Sequence, residues 1–557
     1  MNLYKAYIDI LSRLITTSKI RSFSRIGVFI IPLSLLFYSF LRYLVGLRNS
    51  FSIVPFADSW ALIDSMMKSS GTLTTEMLWL PHNEHRIGFV RFLYYLNFNI
   101  FHGSELAFTV LHISVLIFAA FIMSFVITRC VGINQFLIFV FFFSLLTYFP
   151  LNSINIIWSF TMVFALSLIF PLVSFTTFAK LQSSRKITWF ILFLLSELLL
   201  LSGGGAGVAA LIVIPFLAVL FNCKPSELIM LIAFNTFLIL FYLRNLTQAE
   251  HPPLHQLITF IPKYVLAYLG SPFMSLTSIN RSSVTDEQLM HSLFFGIFGL
   301  VVIAYALVVL LQFKHTDQRA GVTIAFILFL LLIPCLASYS RTSFGLSHAL
   351  TSSYLFFSST LYAFSGLVIL GQSINSKKHA FQVSTFAVHS IVVLLVCFLV
   401  LTTNRTSAYS DHFGHYKDRS GLSLMLGIND PVTQSSIYPV SPLDNKTLML
   451  TEWLIDNDSG FTKDYFLGFQ KIHMQSTAAI CPIRLVENRI VNSEIQQVLL
   501  IFNKSPKFSK VYLETDDFGI YLIKNEILDN ALLESYWGYS IKKKNSSELE
   551  QSFCISK

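Results

Sequence analysis

Phe56-Ala57-Asp58-Ser59-Trp60 begins the stretch around which the chain is organised. The stretch continues with Leu80-Pro81-His82-Asn83-Glu84-His85-Arg86-Ile87 and ends at Arg91. It holds the densest group of ionisable side chains before the C-terminal quarter. Long apolar runs stand on both sides of it, at about 26–46 and 105–128. A polar stretch between two such runs predicts a loop that joins two membrane-spanning helices.

The composition indicates a membrane protein. Of the 557 residues, 54% are hydrophobic and 12% are charged, whereas a soluble domain has about 25% charged residues. The 55 phenylalanines suit helices that face lipid, because the ring has no polar atom to satisfy. The net charge of +9 is explained by membrane topology, so it does not indicate a nucleic-acid partner.

The apolar runs predict about eleven transmembrane helices. The run at about 26–46 is too long for a signal-peptide core, so it is a retained first helix. The other predicted spans lie at about 105–128, 132–149, 158–179, 187–202, 206–222, 227–244, 290–312, 320–338, 352–371 and 380–401.

Basic residues predict the orientation. If residues 1–25 are cytoplasmic, every inner loop carries Lys or Arg, as the positive-inside rule requires. The connections Leu151–Ile157 and Gly203–Gly205 carry none and are outer. The inner-loop cations are Arg129, Lys180, Arg185, Lys186, Lys224, Lys314, Arg319, Lys377 and Lys378. A transmembrane domain at 26–401 and an extracytoplasmic domain at 402–557 follow from this pattern.

Other outer segments are predicted to be structured. The first outer loop, 47–104, ends in the apolar stretch Ile87–Phe101, which suits a helix lying along the membrane interface. A second loop, about 245–289, contains an interfacial or re-entrant helix near Tyr264–Leu269. A third, short loop lies at about 339–351.

The C-terminal domain has the charge density of a soluble module and is predicted to be α/β. Lys446–Ile455 is predicted as a helix. Strands are predicted at Ile495–Phe502, Lys510–Glu514 and Gly519–Ile523, where β-branched and aromatic residues are enriched. Its two cysteines, Cys481 and Cys554, could pair in an oxidising space, and the sequence leaves that pairing open.

Asp58 has two interpretations. It lies beside aromatic residues on the outer face, which suits a general base that takes a proton from a hydroxyl. It also precedes the helical-looking Ser59–Met67, and aspartate is a favoured helix N-cap. The two roles do not exclude each other.

The segment His82–Arg86 is predicted to bind substrate. Arg86 and Arg91 could clamp phosphate oxygens, and Glu84 could orient an arginine or serve as a second catalytic carboxylate. The spacing of the two histidines would allow a metal site on a helix. A polar patch that contacts lipid headgroups is the alternative. The remaining polar members of the segment are His82, Asn83 and His85.

Further candidates lie in other outer segments. Asn155 and Trp158 could bind sugar hydroxyls or anchor a helix in the aromatic belt. Arg341 and His348 could meet a lipid-linked phosphate or reach the headgroups. Glu197 lies within a predicted span, where a carboxyl group is either functional or packed against a neighbouring helix.

No glycine loop for nucleotide binding is present in the sequence. The protein is therefore not expected to use cytoplasmic ATP itself. Secondary transport, lipid-linked chemistry and a structural role stay open at this point.

Three segments stand out, namely Ala57-Asp58-Ser59-Trp60, His82-Asn83-Glu84-His85-Arg86-Ile87 and Asn155-Ile156-Ile157-Trp158-Ser159-Phe160. Together with the predicted topology, these segments resemble the GT-C superfamily of membrane glycosyltransferases. They are similar to bacterial members that glycosylate surface polysaccharides such as O-antigen. The resemblance implies inverting transfer from a polyprenyl-phosphate-linked sugar to a glycan acceptor, at the extracytoplasmic face of the plasma (inner) membrane. It also implies that the first-loop carboxylate, here Asp58 with Glu84 next, is the acid–base residue.

The resemblance implies further partners, namely a transferase that makes the donor and a flippase. It requires no cofactor and leaves a divalent metal open, because Ser59 replaces the second acidic residue that many relatives carry there. The alternative functions are a transporter or flippase for polysaccharide or lipid-linked glycan, and a polymerase.

Overall fold

The computed structural model describes most of the chain between residues 51 and 375 and shorter pieces after it. The described residues are 51–83, 85–148, 158–246, 254–274, 284–313, 318–350, 352–375, 421, 424, 446–462, 484–492, 495–503, 518–522 and 536–543. They form two compact units. The helical unit contains Leu78–Arg91 and the described part of Val110–Asp411, and the loop unit contains the described parts of Ser50–Met77, Phe92–Thr109 and His412–Lys557.

The first outer loop has regular structure along its described residues. Its elements in chain order are α1 (Ser59–Lys68), α2 (Thr75–Trp79), β1 (Pro81–His82), β2 (His85–Arg86) and α3 (Gly88–Phe101). The helix expected at Ile87–Phe101 is confirmed as α3. Its placement along the membrane interface stays a prediction.

Ten helices follow in the described part of the chain before residue 376. They are α4 (Glu105–Val131), α5 (Gln135–Tyr148), α6 (Met162–Ser184), α7 (Ile187–Ser202), α8 (Ala206–Leu220), α9 (Pro225–Leu243), α10 (Leu254–Met274), α11 (Asp286–Phe313), α12 (Gln318–Ser340) and α13 (Ser352–Asn375). Short 3-10 helices precede α6 at Ser159–Thr161 and precede α13 at Thr342–Phe344 and Leu346–Leu350.

Nine of these ten helices coincide with predicted spans, and α10 coincides with the predicted re-entrant or interfacial segment. Six of the nine are long and apolar enough to cross a membrane, whereas α5, α7 and α8 are apolar but shorter. The protein is therefore a helical, membrane-embedded protein. The predicted spans at about 26–46 and 380–401 lie outside the described residues, so the total of eleven stays a prediction.

The helices differ in how much of their surface the protein covers. The apolar window of α6 is 83% buried, whereas that of α9 is 17% buried. On the outer helices, phenylalanines such as Phe121, Phe237 and Phe294 are exposed. A helix that is apolar on every side and only partly covered by protein presents its remaining surface to lipid, so these rings are where the composition predicted them.

Contacts between helix ends agree with the predicted alternation of spans. Arg185, in the predicted inner loop after α6, pairs with Glu227 at the start of α9 at 3.0 Å. Arg319, at the start of α12, donates to the carbonyl of Phe125 at 3.0 Å, near the end of α4. These ends were all predicted to lie on one face. Which face is cytoplasmic stays a prediction.

The described C-terminal elements belong to the loop unit. Helix α14 (Lys446–Asp456) confirms the predicted helix. Four antiparallel strands form a sheet in the order β3-β4-β6-β5. The strands are β3 (Arg484–Asn492), β4 (Ile495–Asn503), β5 (Phe518–Leu522) and β6 (Tyr536–Lys543).

Two of the predicted strands are confirmed, as β4 and β5. Strands β3 and β6 were not predicted, although β6 begins Tyr536-Trp537-Gly538-Tyr539-Ser540-Ile541 and is rich in strand-forming residues. The predicted strand at Lys510–Glu514 lies outside the described residues. Cys481 and Cys554 do too, so their pairing stays open.

Candidate functional site

Arg86 fixes the polar hairpin to the end of α9. Its side chain is 2% exposed, and its Nε donates to the carbonyl of Tyr242 at 2.9 Å. The two terminal nitrogens donate to the carbonyls of Trp79 and Arg244, and the guanidinium lies 4.6 Å from the centre of the Trp79 ring. Burial lowers the pKa of Arg86, and nearby Tyr242 acts in the opposite direction. This geometry favours a structural role for Arg86.

Arg91 binds backbone carbonyls of its own segment. It is 3% exposed, and its terminal nitrogens donate to the carbonyls of Leu80 and, at 3.2 Å, Pro81. Backbone carbonyls therefore engage all three guanidinium nitrogens of Arg86 and both terminal nitrogens of Arg91. A phosphate clamp at these two residues would have to displace those bonds.

The hairpin itself is shaped by its turn. His82 and His85 are directly paired across it, and Asn83 has a φ of 51°, a left-handed conformation that asparagine tolerates better than most residues. Asn83 is exposed at the tip. The metal hypothesis assumed helical spacing for the histidines, whereas the structure places them in a hairpin. Within the described residues, no group of three or more His, Cys, Asp or Glu side chains could hold a metal ion.

The hairpin meets the Gly203–Gly205 connection, which the sequence predicted to be outer. The backbone amide of Gly204 donates to the carbonyl of Arg86 at 3.0 Å. A Cβ added at Gly205 would lie 2.9 Å from Nδ1 of His85, so a glycine is needed for this close approach. The Gly203–Gly205 turn is therefore a docking surface for the hairpin.

Trp158 is brought to the same place. The His82 ring lies 5.2 Å from the Phe160 ring, and the Phe160 ring stacks on Trp158 at 5.7 Å. The second first-loop motif and the Trp158 segment, which are far apart in sequence, thus form one aromatic and polar group. Asn155 and Glu84 lie outside the described residues.

In the loop unit, Asp58 stands immediately before α1. It occupies the N-cap position, but its side chain makes no capping hydrogen bond to the helix. The preceding residue, Ala57, has a φ of 48°, which costs energy in a residue with a Cβ. Backbone strain of this kind is concentrated at functional sites. The structure therefore gives no support to the capping interpretation.

Helix α14 holds α1. Asp64 of α1 accepts from Lys68 at 2.9 Å and from Lys446 of α14 at 3.1 Å. The Trp60 ring meets Phe461 edge to face at 5.9 Å. The helix that begins after Asp58 is therefore braced by residues from the far end of the chain.

The rest of the first loop in this unit is braced in the same way. The Phe98 ring of α3 stacks on Trp453 of α14 at 5.3 Å, and the amide of Gly460 donates to the carbonyl of His102 at 2.6 Å. These partners were not predicted from the sequence, because no pattern in the first loop indicates a contact with residues so far along the chain.

Arg341 and His348 belong to a separate cluster in the helical unit. Nδ1 of His348 lies 3.4 Å from the hydroxyl of Tyr264 in α10. The His348 ring also lies 5.5 Å from that of Tyr354, and Arg341 stacks over Phe344 at 5.4 Å. The tyrosines were not singled out from the sequence, although Tyr264 and Tyr268 are spaced to share one face of a helix.

Glu197 is fully buried between α7 and α6. One of its carboxyl oxygens accepts from the hydroxyl of Ser174 at 2.5 Å, while the other has no partner among the described residues. The bond to a neighbouring helix is the packed arrangement that the sequence allowed.

The chain matches no protein-family model, no curated protein and no solved structure.

Proposed function

We propose that the protein is a membrane glycosyltransferase of the GT-C type, which transfers a sugar from a polyprenyl-phosphate-linked donor to a surface glycan on the extracytoplasmic face of the plasma (inner) membrane. The observation that carries the proposal is the meeting of His82 with the Trp158–Phe160 segment. These are two of the three segments on which the resemblance rests. Aromatic rings beside imidazole and indole nitrogens are suited to a sugar, because they offer both stacking and hydrogen bonds.

Asp58 is the proposed general base. It would accept the proton of the acceptor hydroxyl as that oxygen attacks the anomeric carbon, and polyprenyl phosphate would leave with inversion. The lack of a capping hydrogen bond from its side chain and the strained Ala57 before it support this role. The departing phosphate needs positive charge. Arg341 and His348 are the proposed source of that charge, since the guanidinium nitrogens of Arg86 and Arg91 bind backbone carbonyls.

Packing within the loop unit supports an outer C-terminal domain. Because α1 and α14 pack together, they lie on one side of the membrane, and an even number of crossings must separate them. The nine described apolar helices between them and the predicted span at about 380–401 make ten, provided that α10 does not cross. This parity favours the re-entrant or interfacial assignment of α10.

The test is the sugar composition of the host's surface glycan. Asp58→Asn and Glu84→Gln are expressed beside wild type in a strain that lacks the gene, after equal membrane insertion is confirmed. Glu76→Gln is the matched control, because Glu76 is an exposed carboxylate in the same loop. We expect Asp58→Asn to resemble the deletion and Glu76→Gln to resemble wild type. If Asp58→Asn restores the wild-type glycan, Asp58 is not the base, and if the deletion changes no sugar, the protein is not this transferase.

The second candidate is a transporter or flippase for lipid-linked glycan. The observation on its side is Glu197, since a buried carboxyl group within a membrane span is often part of an ion pathway. Transport predicts that Glu197→Gln abolishes function while Asp58→Asn does not. The transferase proposal predicts the reverse.

A further inference from the structure

A cluster of hydrogen-bonding aromatic side chains lies between α10, the turn Leu346–Leu350 and the start of α13. The Tyr354 ring lies 6.4 Å from Tyr264 and 5.5 Å from Tyr268, and the hydroxyl of Tyr264 is 3.4 Å from Nδ1 of His348. Helix α10 and the neighbouring segments Leu346–Leu350 and α13, which are distant from α10 in sequence, thus place three phenols and an imidazole side by side.

A positive charge acts on this cluster. Burial raises the pKa of the Tyr264 phenol well above its usual range, neighbouring tyrosines raise it further, and Arg341 acts in the opposite direction. Arg341 also stacks over Phe344, whose ring lies 5.1 Å from that of His348, so its charge belongs to the same cluster. Its side chain is partly exposed, so it can also meet a group that arrives from outside.

Tyr268 is the unusual member. Tyr268 is 0% exposed, yet its hydroxyl has no hydrogen-bond partner among the residues that the structure describes. A buried hydroxyl is normally bonded, because its desolvation is otherwise uncompensated. An orphaned hydroxyl beside two other phenols indicates a place where a ligand supplies the missing acceptor.

The chemistry of the cluster selects an anion. Phenols and a guanidinium donate hydrogen bonds, and an arginine adds a full positive charge. Phosphate oxygens are strong acceptors that match such donors. We propose that Tyr264, Tyr268, Tyr354, His348 and Arg341 form a binding site for a phosphate ester, with the Tyr268 hydroxyl as an internal donor. If the proposed function is right, that ester is the polyprenyl phosphate of the donor, and this identification alone rests on it.

The test measures ligand binding without turnover. Purified protein in nanodiscs of phosphatidylcholine is titrated with polyprenyl monophosphate, with phosphatidic acid and with inorganic phosphate, and the thermal shift is followed. We expect polyprenyl monophosphate to stabilise wild type. Tyr268→Phe should weaken that binding roughly tenfold, the effect of one lost hydrogen bond, and Arg341→Gln should weaken it more.

The ligand-free stability of Tyr268→Phe separates a binding role from a structural one. Because the hydroxyl lacks a partner, we expect its removal to leave the melting temperature unchanged or higher. Tyr362→Phe is the matched control, since the Tyr362 hydroxyl donates to the carbonyl of Leu269 at 2.9 Å. It should lower the melting temperature and leave phosphate-ester binding intact.

The outcomes are distinct from those of the glycan experiment. A phosphate site is supported if any of the three probes binds wild type and binds Tyr268→Phe more weakly. If only phosphatidic acid or inorganic phosphate binds, the site recognises a lipid headgroup or free phosphate and is independent of glycosyl transfer. The proposal is overturned if no probe binds, if Tyr268→Phe binds as wild type does, or if that variant loses ligand-free stability. None of these results depends on whether Asp58 is catalytic.

Discussion

Arg86→Lys tests whether the most buried arginine of the first loop serves structure or substrate. The three guanidinium nitrogens of Arg86 donate to the carbonyls of Tyr242, Trp79 and Arg244. A lysine keeps the charge but carries it on one nitrogen, which cannot reach three separated carbonyls at once. About two bonds are therefore lost, each contributing about 1.5–3 kcal/mol when the donor is charged.

The expected loss of stability is about 3 kcal/mol or more, since removing one partner of a buried charged network has effects of about 3–5 kcal/mol. At about 2 °C per kcal/mol for a large chain, the melting temperature should fall by about 6 °C. The assay is thermal unfolding of purified protein in detergent, followed by tryptophan fluorescence, to which Trp79 under the guanidinium contributes.

Arg91→Lys is the control variant. Its bonds stay within the hairpin segment, to Leu80 and Pro81, so the expected loss is about 1–2 kcal/mol. If Arg86→Lys melts with wild type but no longer binds polyprenyl monophosphate, our reasoning is refuted and Arg86 is a substrate ligand.

Three other predictions follow from the same contacts. Lys446→Glu should speed proteolysis of the first loop in purified protein, because it places a like charge beside Asp64, whereas Lys68→Glu, which keeps the long-range pair, should have less effect. Ala57→Gly should raise stability by about 0.5–1 kcal/mol, measured as the melting temperature, because glycine adopts a positive φ without strain; a fall would show that φ at this position is not costly. Gly270→Ala should destabilise by about 1–3 kcal/mol, because its methyl group would overlap the Ser292 carbonyl, while Gly366→Ala, which has open space, should be neutral or stabilising.

The apolar helices were predictable because the signal is local. A run of apolar residues such as Ile187–Ser202 specifies a helix and its approximate ends without reference to the rest of the chain. Lys446–Ile455 was found by the same means. The contacts at the helix ends also agree with the alternation of spans expected from the apolar runs.

The candidate site was less predictable, because its partners are distant in sequence. Nothing near Arg86 indicates that carbonyls 156 and 158 residues away will bind its guanidinium. A general preference of arginine for phosphate was therefore assigned to a residue whose guanidinium nitrogens donate to backbone carbonyls. The histidine spacing was misleading for a local reason, since Pro81 and Asn83 favour a turn over a helix.

The pairing of Asp64 with Lys446 also has a consequence for biogenesis. The two residues are 382 positions apart, so at a synthesis rate of about 5–20 residues per second the ribosome needs roughly 20–75 s to make the second after the first. During that interval the first loop lacks its ion pair with Lys446. Nascent chains stalled before residue 446 should then expose the first loop to added protease, and release of the full chain should end that exposure.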